Sequence, residues 1–201
     1  MKFTYLIFNI FFLSLGNAQE KKSEWELVKS ENNIDISYRW LQVSEQQKIR
    51  EMKVEFTVES DASMVIEQFT SSTNLKKWQT SSDECKISDV SGNEWLTYLS
   101  FNLPWPLKSK DLVTQNELIK TKNYSLIKMK STPNAKPLRK DKNRINSLES
   151  EWKFIPLKNG NTKVIYTTLT YDKPEFPRSV TDPIIQKKLI QSIGLLKKSV
   201  S

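Results

Sequence analysis

Glu149 and Glu151 stand two apart in LESEWKF, on one face of an alternating apolar and polar stretch. A carboxylate pair in such an arrangement can divide acid and base work in hydrolysis. Glutamates on a wet strand face are far more often solvated, and that is the first reading here. Cys85 is the single cysteine, so no intramolecular disulfide can form, and it reads as a small, half-buried residue. The chain has no histidine. That removes the commonest general base, the commonest metal ligand and every Ser-His or Cys-His nucleophile. There is no phosphate loop, zinc spacing or nucleophile elbow, and nothing calls for a cofactor or a metal. The hydroxyls of Tyr98, Tyr166 and Thr168 remain, either as ligand contacts or as ordinary strand residues. The chemistry left open is binding, or an enzyme that works with tyrosine or carboxylates.

The compartment narrows the partners. Residues 1–18 read as an export signal: Lys2 is followed by an apolar run over 3–15, then by Gly16-Asn17-Ala18 as a cleavage site. The run is shorter than the roughly 20 residues that span a bilayer, which disfavours an uncleaved anchor. The expected mature chain, residues 19–201, is periplasmic or extracellular and the size of one domain. Its charge without Lys2 is +7, from 30 basic and 23 acidic residues. Export disfavours nucleic acid as the partner of that charge. Solubility and transient contact with an anionic membrane surface both stay open.

The positioning elements follow from periodicity. Ser23 to Lys29 (SEWELVK) predicts a short helix, with Trp25 and Val28 on one side. Strands are predicted at Ile34, Ile36, Tyr38 and at Met52, Val54, Phe56, Val58, where polar residues alternate with the apolar ones. Ser60-Asp61 opens a helix with Ala62, Val65, Ile66 and Phe69 on one stripe, and a second short helix is expected over 74–79. Further strands are expected over 85–89, 95–103, 111–119, 124–130, 149–157 and 163–171, the last two joined at Asn159-Gly160-Asn161. Between them, residues 133–146 form a long polar loop with five basic side chains, Lys136, Arg139, Lys140, Lys142 and Arg144. A long final helix is predicted from an Asp182 N-cap and Pro183 at its first position. Its stripe is Ile185, Leu189, Ile193, Leu196 and Val200, and Lys187 and Lys198 share its polar face. The fold class is α+β, with hairpin-linked strands and a terminal helix to cover them.

Two prolines bracket Trp105 in PWPLKSKDLV. Proline gives no N–H to a sheet, so this corner ends a strand. The segment resembles the Pro-Trp-Pro-x-x-x-Arg-Asp-Phe-Val stretch of START domains, the steroidogenic-acute-regulatory-related lipid-transfer family. Trp25-Glu-Leu-Val followed by NIDISYR resembles the family's opening, and WKFIPLKNGNTKVIY with the last helix resembles its end. The likeness runs from about Glu24 to Lys198. Lys110 and Leu112 depart from its Arg and aromatic. Asn33 takes the place of its usual glycine, in a conformation that asparagine tolerates. Asn116 falls where some sterol-binding members carry an arginine paired with a buried acid, and WLTYLSF holds no acid, so that clamp is not expected.

The resemblance implies a helix-grip fold of the Bet v 1-like superfamily. A curved antiparallel sheet would wrap around the long C-terminal helix and enclose an internal apolar cavity. In that picture Trp105 fills the cavity rim. The candidate ligand-binding walls are Phe56, Leu99, Phe101, Leu103, Met129, Trp152 and Phe154 on strands, with Leu189, Ile193 and Leu196 on the helix. Periodicity does not separate those that face a hollow from those in solid core. The expected function is non-catalytic binding, and transfer, of a lipid or other hydrophobic molecule by a monomer. The alternatives are a cyclase- or hydrolase-type enzyme on the same fold and a protein-binding module of the cell envelope.

Overall fold

The computed structural model describes residues 22–105 and 107–200. The expected export signal and Pro106 lie outside them. The chain order is β1 (Glu26–Glu31), β2 (Ile34–Gln42), β3 (Lys48–Val58), α1 (Ala62–Thr70), α2 (Ser72–Trp78), β4 (Ser82–Ser91), β5 (Glu94–Phe101), β6 (Lys110–Lys120), β7 (Ser125–Ser131), β8 (Asn143–Arg144), β9 (Leu148–Pro156), β10 (Thr162–Thr170) and α3 (Arg178–Ser199). The sheet runs β1-β2-β3-β10-β9-β7-β6-β5-β4, antiparallel along that path, while β8 adds to β6 in parallel. One face is packed by α1, α2 and the end of α3 around an apolar core that includes Val54, Phe69, Trp78, Phe154, Ile193 and Leu196. This is the α+β helix-grip arrangement.

The turns are set by residues that tolerate positive φ. Asn32 and Asn33 (φ 55° and 56°) join β1 to β2, and Gly160 (φ 81°) turns β9 into β10. Asn33 therefore does what a glycine would do at that position.

Four expectations fail here. The first segment is strand β1, not a helix over 23–29. Seven residues are too few for a helix without a packed face, and the open edge of β2 offers a ladder instead. Trp25 lies under the guanidinium of Arg39, 4.2 Å from the ring centre, rather than in the core.

The last helix starts at Arg178, four residues before Asp182, and Pro183 lies inside it. Asp182 does not cap. Its carboxylate takes both forks of Arg50, at 2.6 and 2.7 Å. The N–H that Pro183 lacks would have met the carbonyl of Ser179, in the exposed second position where water serves. The buried stripe is Ile190, Ile193, Leu196 and Val200, whereas Ile185 is 43 % exposed.

β5 stops at Phe101, so Leu103 lies beyond it. Trp105 does not fill a rim: it is 91 % exposed.

The fourth correction concerns the basic loop. Residues 132–146 lie as a strap along β6, with Thr132 N–H donating to Val113 and Ile145 N–H to Asp111. Arg144 forks onto Asp111 at 2.7 and 2.8 Å and also donates to the carbonyls of Pro133, Lys136 and Pro137. Lys142 meets Asp83 at 3.2 Å, Arg139 meets Glu84 at 3.0 Å, and Lys136 meets Asp89 at 3.6 Å. Four of the five cations are thus matched by acids of this chain. Lys140 is exposed.

Candidate functional site

Strand register divides the inner face into rows. One row, Ile36, Val54, Tyr166, Trp152, Ile127 and Leu118, runs from β2 to β6 and is apolar apart from one phenol. Trp152 stacks on Tyr166 at 4.2 Å and meets Phe69 at 4.9 Å. The next row reads Tyr38, Met52, Thr168, Ser150, Met129, Asn116 and Trp95. Here small polar side chains alternate with two methionines that are only half-buried. The wall changes character within two residues along each of these strands.

The polar members of that second row are hydrogen-bonded in two separate groups. The Asn116 amide donates to Thr97 Oγ1 at 2.8 Å and to the Trp95 carbonyl at 3.0 Å, and its Oδ1 accepts from Thr114 at 3.0 Å. Ser150 and Thr168 share a hydroxyl hydrogen bond of 2.9 Å. Burial pushes the Tyr166 phenol up from its ordinary pKa, against lowering hydrogen bonds from Thr168 and Ser150. Burial does the same to Tyr38, which accepts from Gln186 at 3.1 Å.

A void of about 20 Å³ opens beside this row, bounded by Trp78 of α2, by Gln79 just after it, and by Thr97, Asn116 and Met129 from the sheet. It has room for about one water. Small-molecule sites occupy roughly 300–1,000 Å³.

The expected wall residues separate into two groups. Phe154, Ile193 and Leu196 are fully buried, and Phe56, Leu99 and Trp152 nearly so, all within the packed core. Of these, Leu99 and Trp152 also touch the void. Phe101, Leu103, Met129 and Leu189 are half-buried. Met52, Asn116 and Ser150 join the inner row without having been singled out as wall. For Ser150 the signal was present, as a polar residue at an inward position between Leu148 and Trp152.

Two chemical candidates lie elsewhere. Glu149 and Glu151 point outward, flanking a solvent-facing hollow of about 550 Å³ that crosses β6, β7, β9, β10 and β3 behind the second row, so that Asn116, Met129, Ser150 and Thr168 also contribute to its lining. Lys128 stands directly opposite Glu151, and Lys130 is 3.6 Å from Glu149. The pair is a charge ladder on a wet face. Tyr98 is on the outer face as well, opposite Val113 and beside Arg139 of the strap, so it is no inner-wall hydroxyl. Cys85 is buried, and burial pushes its thiol up.

The first half of α3 is held to this wall by polar contacts, one per turn. Arg178 lies over Trp40 at 5.4 Å, Asp182 grips Arg50, and Gln186 donates to Tyr38. Arg50 itself lies on the Tyr38 ring, 3.8 Å from its centre.

The raised phenols give a pH signature. A folded-state pKa above the unfolded one contributes stability below about pH 10 that is lost as pH climbs through the folded value. Titration by tyrosinate absorbance should show that folded protein ionises fewer of the five tyrosines of residues 19–201 at pH 10.5 than urea-unfolded protein does. Equal ionisation would mean that Tyr38 and Tyr166 are not shielded.

The sequence model of the START domain matches residues 13–194. An uncharacterized protein of Pseudomonas aeruginosa is 26% identical over 156 residues, covering 77% of this chain and 75% of its own. Among crystal structures, a STAR-related lipid transfer protein from Xanthomonas axonopodis superposes with a TM-score of 0.76 at 20% identity, over 88% of this chain and 98% of that one. Human STARD10 superposes with a TM-score of 0.70 at 18% identity, over 88% and 72%.

Proposed function

This chain belongs to the START domain family, and from that premise we propose that it binds a lipid or other hydrophobic small molecule without catalysis, between the inner wall and the first half of α3. The observation that carries this reading is the half-buried apolar set of Met52 and Met129 on the sheet and Leu189 on α3, packed against the core, with the first half of α3 fastened by polar contacts. Half-buried apolar surface on an inner wall gains about 25 cal/mol per Å² when a ligand covers it. The void of about 20 Å³ is closed by α1, the end of α2 and the sheet and is too small for a ligand, so the wall has to open. The element we expect to move is the first half of α3, whose contacts with β2 and β3 are polar, while Ile190, Ile193 and Leu196 stay packed.

Asp182→Asn is expected to loosen that latch, because it removes a charge-assisted fork worth about 1.5–3 kcal/mol. Ligand exchange by stopped-flow fluorescence should speed up about tenfold or more. An unchanged exchange rate would place the gate elsewhere.

The reading extends to location and delivery. Export is supported by the composition of residues 1–18, with cleavage after Ala18, and intact mass of the secreted protein tests it by placing Gln19 first. Transient contact with an anionic membrane falls to the exposed Trp105, Lys108 and the Lys187 and Lys198 face of α3, not to the acid-matched strap. The direct test of function is native mass spectrometry of protein purified without detergent, with an organic extract of the same sample. A stoichiometric lipid adduct is the expected result. An apo mass together with no saturable uptake of added amphiphile overturns the proposal.

A further inference from the structure

We propose that the polar end of the ligand is uncharged, a hydroxyl or a carbonyl, and that Asn116 with Thr97, and Ser150 with Thr168, select for it. This rests on the binding reading above and names the chemistry that the same site prefers.

The inner wall carries two hydrogen-bonding stations on either side of the half-buried Met129. They are two strand spacings apart, about 10 Å. The Asn116 station touches the void, together with Thr97 and Gln79. All three of these polar side chains are neutral. Asn116 uses its amide N–H groups within the wall, while its Oδ1 accepts one bond, from Thr114. A carbonyl oxygen carries two lone pairs, so Oδ1 can take a further hydrogen from a ligand hydroxyl. The Ser150 and Thr168 hydroxyls can exchange donor and acceptor roles, so that station serves a carbonyl or a hydroxyl equally.

An anionic head has no counterpart there. Among the described residues, two cations face inward at this end of the sheet: Arg50, paired with Trp40 across the strands and with both of its forks held by Asp182, and Arg178, which lies over Trp40 on β2, two strands away from Thr168 on β10. Lys110, at the far end of β6, is matched to Glu175 at 3.0 Å. A carboxylate or phosphate entering the row would shed its water without gaining a positive partner, and burying an unpaired charge is strongly unfavourable. A hydroxyl or carbonyl loses less water and finds partners already in place.

Three probes of equal chain length separate head from tail: 12-NBD-dodecanol, 12-NBD-dodecanoate at pH 8, and the NBD-labelled alkane without a head. The protein is expected to bind the alcohol about tenfold or more tighter than the carboxylate, and several-fold tighter than the alkane. Ser150→Ala and Thr168→Val remove hydroxyls without adding charge, and one or both should bring alcohol and alkane to within about twofold. Asn116→Leu should do so too, but Asn116 is held by several wall contacts, so its fold is checked first by circular dichroism. A carboxylate that binds as tightly as the alcohol overturns the head assignment and leaves the binding reading standing. Equal affinity for alcohol and alkane overturns it as well. Should no probe bind while the extract yields a lipid, the charge of that lipid's head decides the assignment. If no probe binds and the extract is empty, both readings fall.

Discussion

An Arg144→Ala chain is expected to lose about 3–5 kcal/mol of folding stability, the largest effect of any single charge in the molecule. The Arg144 and Asp111 side chains are 3 % and 1 % exposed, and their fork is the anchor of the strap. Removing the guanidinium strands a carboxylate inside the sheet, with Ser100 opposite it on β5 and the strap above. The reverse substitution should cost less. In Asp111→Ala the arginine keeps the carbonyls of Pro133, Lys136 and Pro137, and its long stem can carry the head toward water. A double replacement by apolar residues, Asp111→Leu with Arg144→Met, should recover most of the loss, since a buried ion pair replaced by packed apolar groups is often neutral. Urea unfolding reads all three through the midpoint at constant slope. The account fails if Arg144→Ala costs under about 1 kcal/mol, or no more than Asp111→Ala does.

That fork also shows where sequence reading stopped. Alternation found β2, β3, β9 and β10 nearly in place because their two faces differ in burial, and that pattern is written in adjacent residues, whereas β5 and β6 are buried on both faces. The strap is a long-range fact. Nothing local in PNAKPLRKDKNRIN distinguishes a lysine facing solvent from Lys142, which reaches Asp83 and Asn102 on other elements. Asp182 misled for the same reason. Asp-Pro is a sound local signal for a helix start, but here the carboxylate is engaged by Arg50, more than a hundred residues earlier. The SEWELVK segment carried helical spacing and was overruled by the free edge of β2. For the candidate site, the fold could be recognised from the Pro-Trp-Pro corner and its flanking segments, whereas the division of apolar residues into wall and core could not. Both kinds alternate identically along a strand. What divides them is whether α1, α2 or the end of α3 covers them, and that is decided by packing across the sheet.

Phe154 and Met129 put that division to a direct test. Both are inward-facing residues, on β9 and β7, and both were candidate walls on the same grounds. Phe154 is fully buried, pairs with Val164 across the strands and sits 5.5 Å from the Phe69 ring. Its replacement by alanine should cost about 3–5 kcal/mol, because transfer free energy is lost and neighbours held by a sheet cannot close the gap. Below its lowered melting temperature, Phe154→Ala should keep near-normal affinity for a hydrophobic probe. Met129 is half-buried and borders the void. Met129→Ala exposes no packed core, so its stability cost should stay near 1 kcal/mol. Its effect should appear in binding, as a three- to tenfold weaker affinity, about what the loss of one or two covered methylenes removes. The two substitutions thus predict opposite columns of the same table, stability for one and affinity for the other. A Phe154→Ala chain that stays stable but stops binding would move the ligand into what is described here as core. A Met129→Ala chain that unfolds early but binds normally would place that methionine in the packing of β6, β7 and β9 and remove the wall on which the proposed site depends.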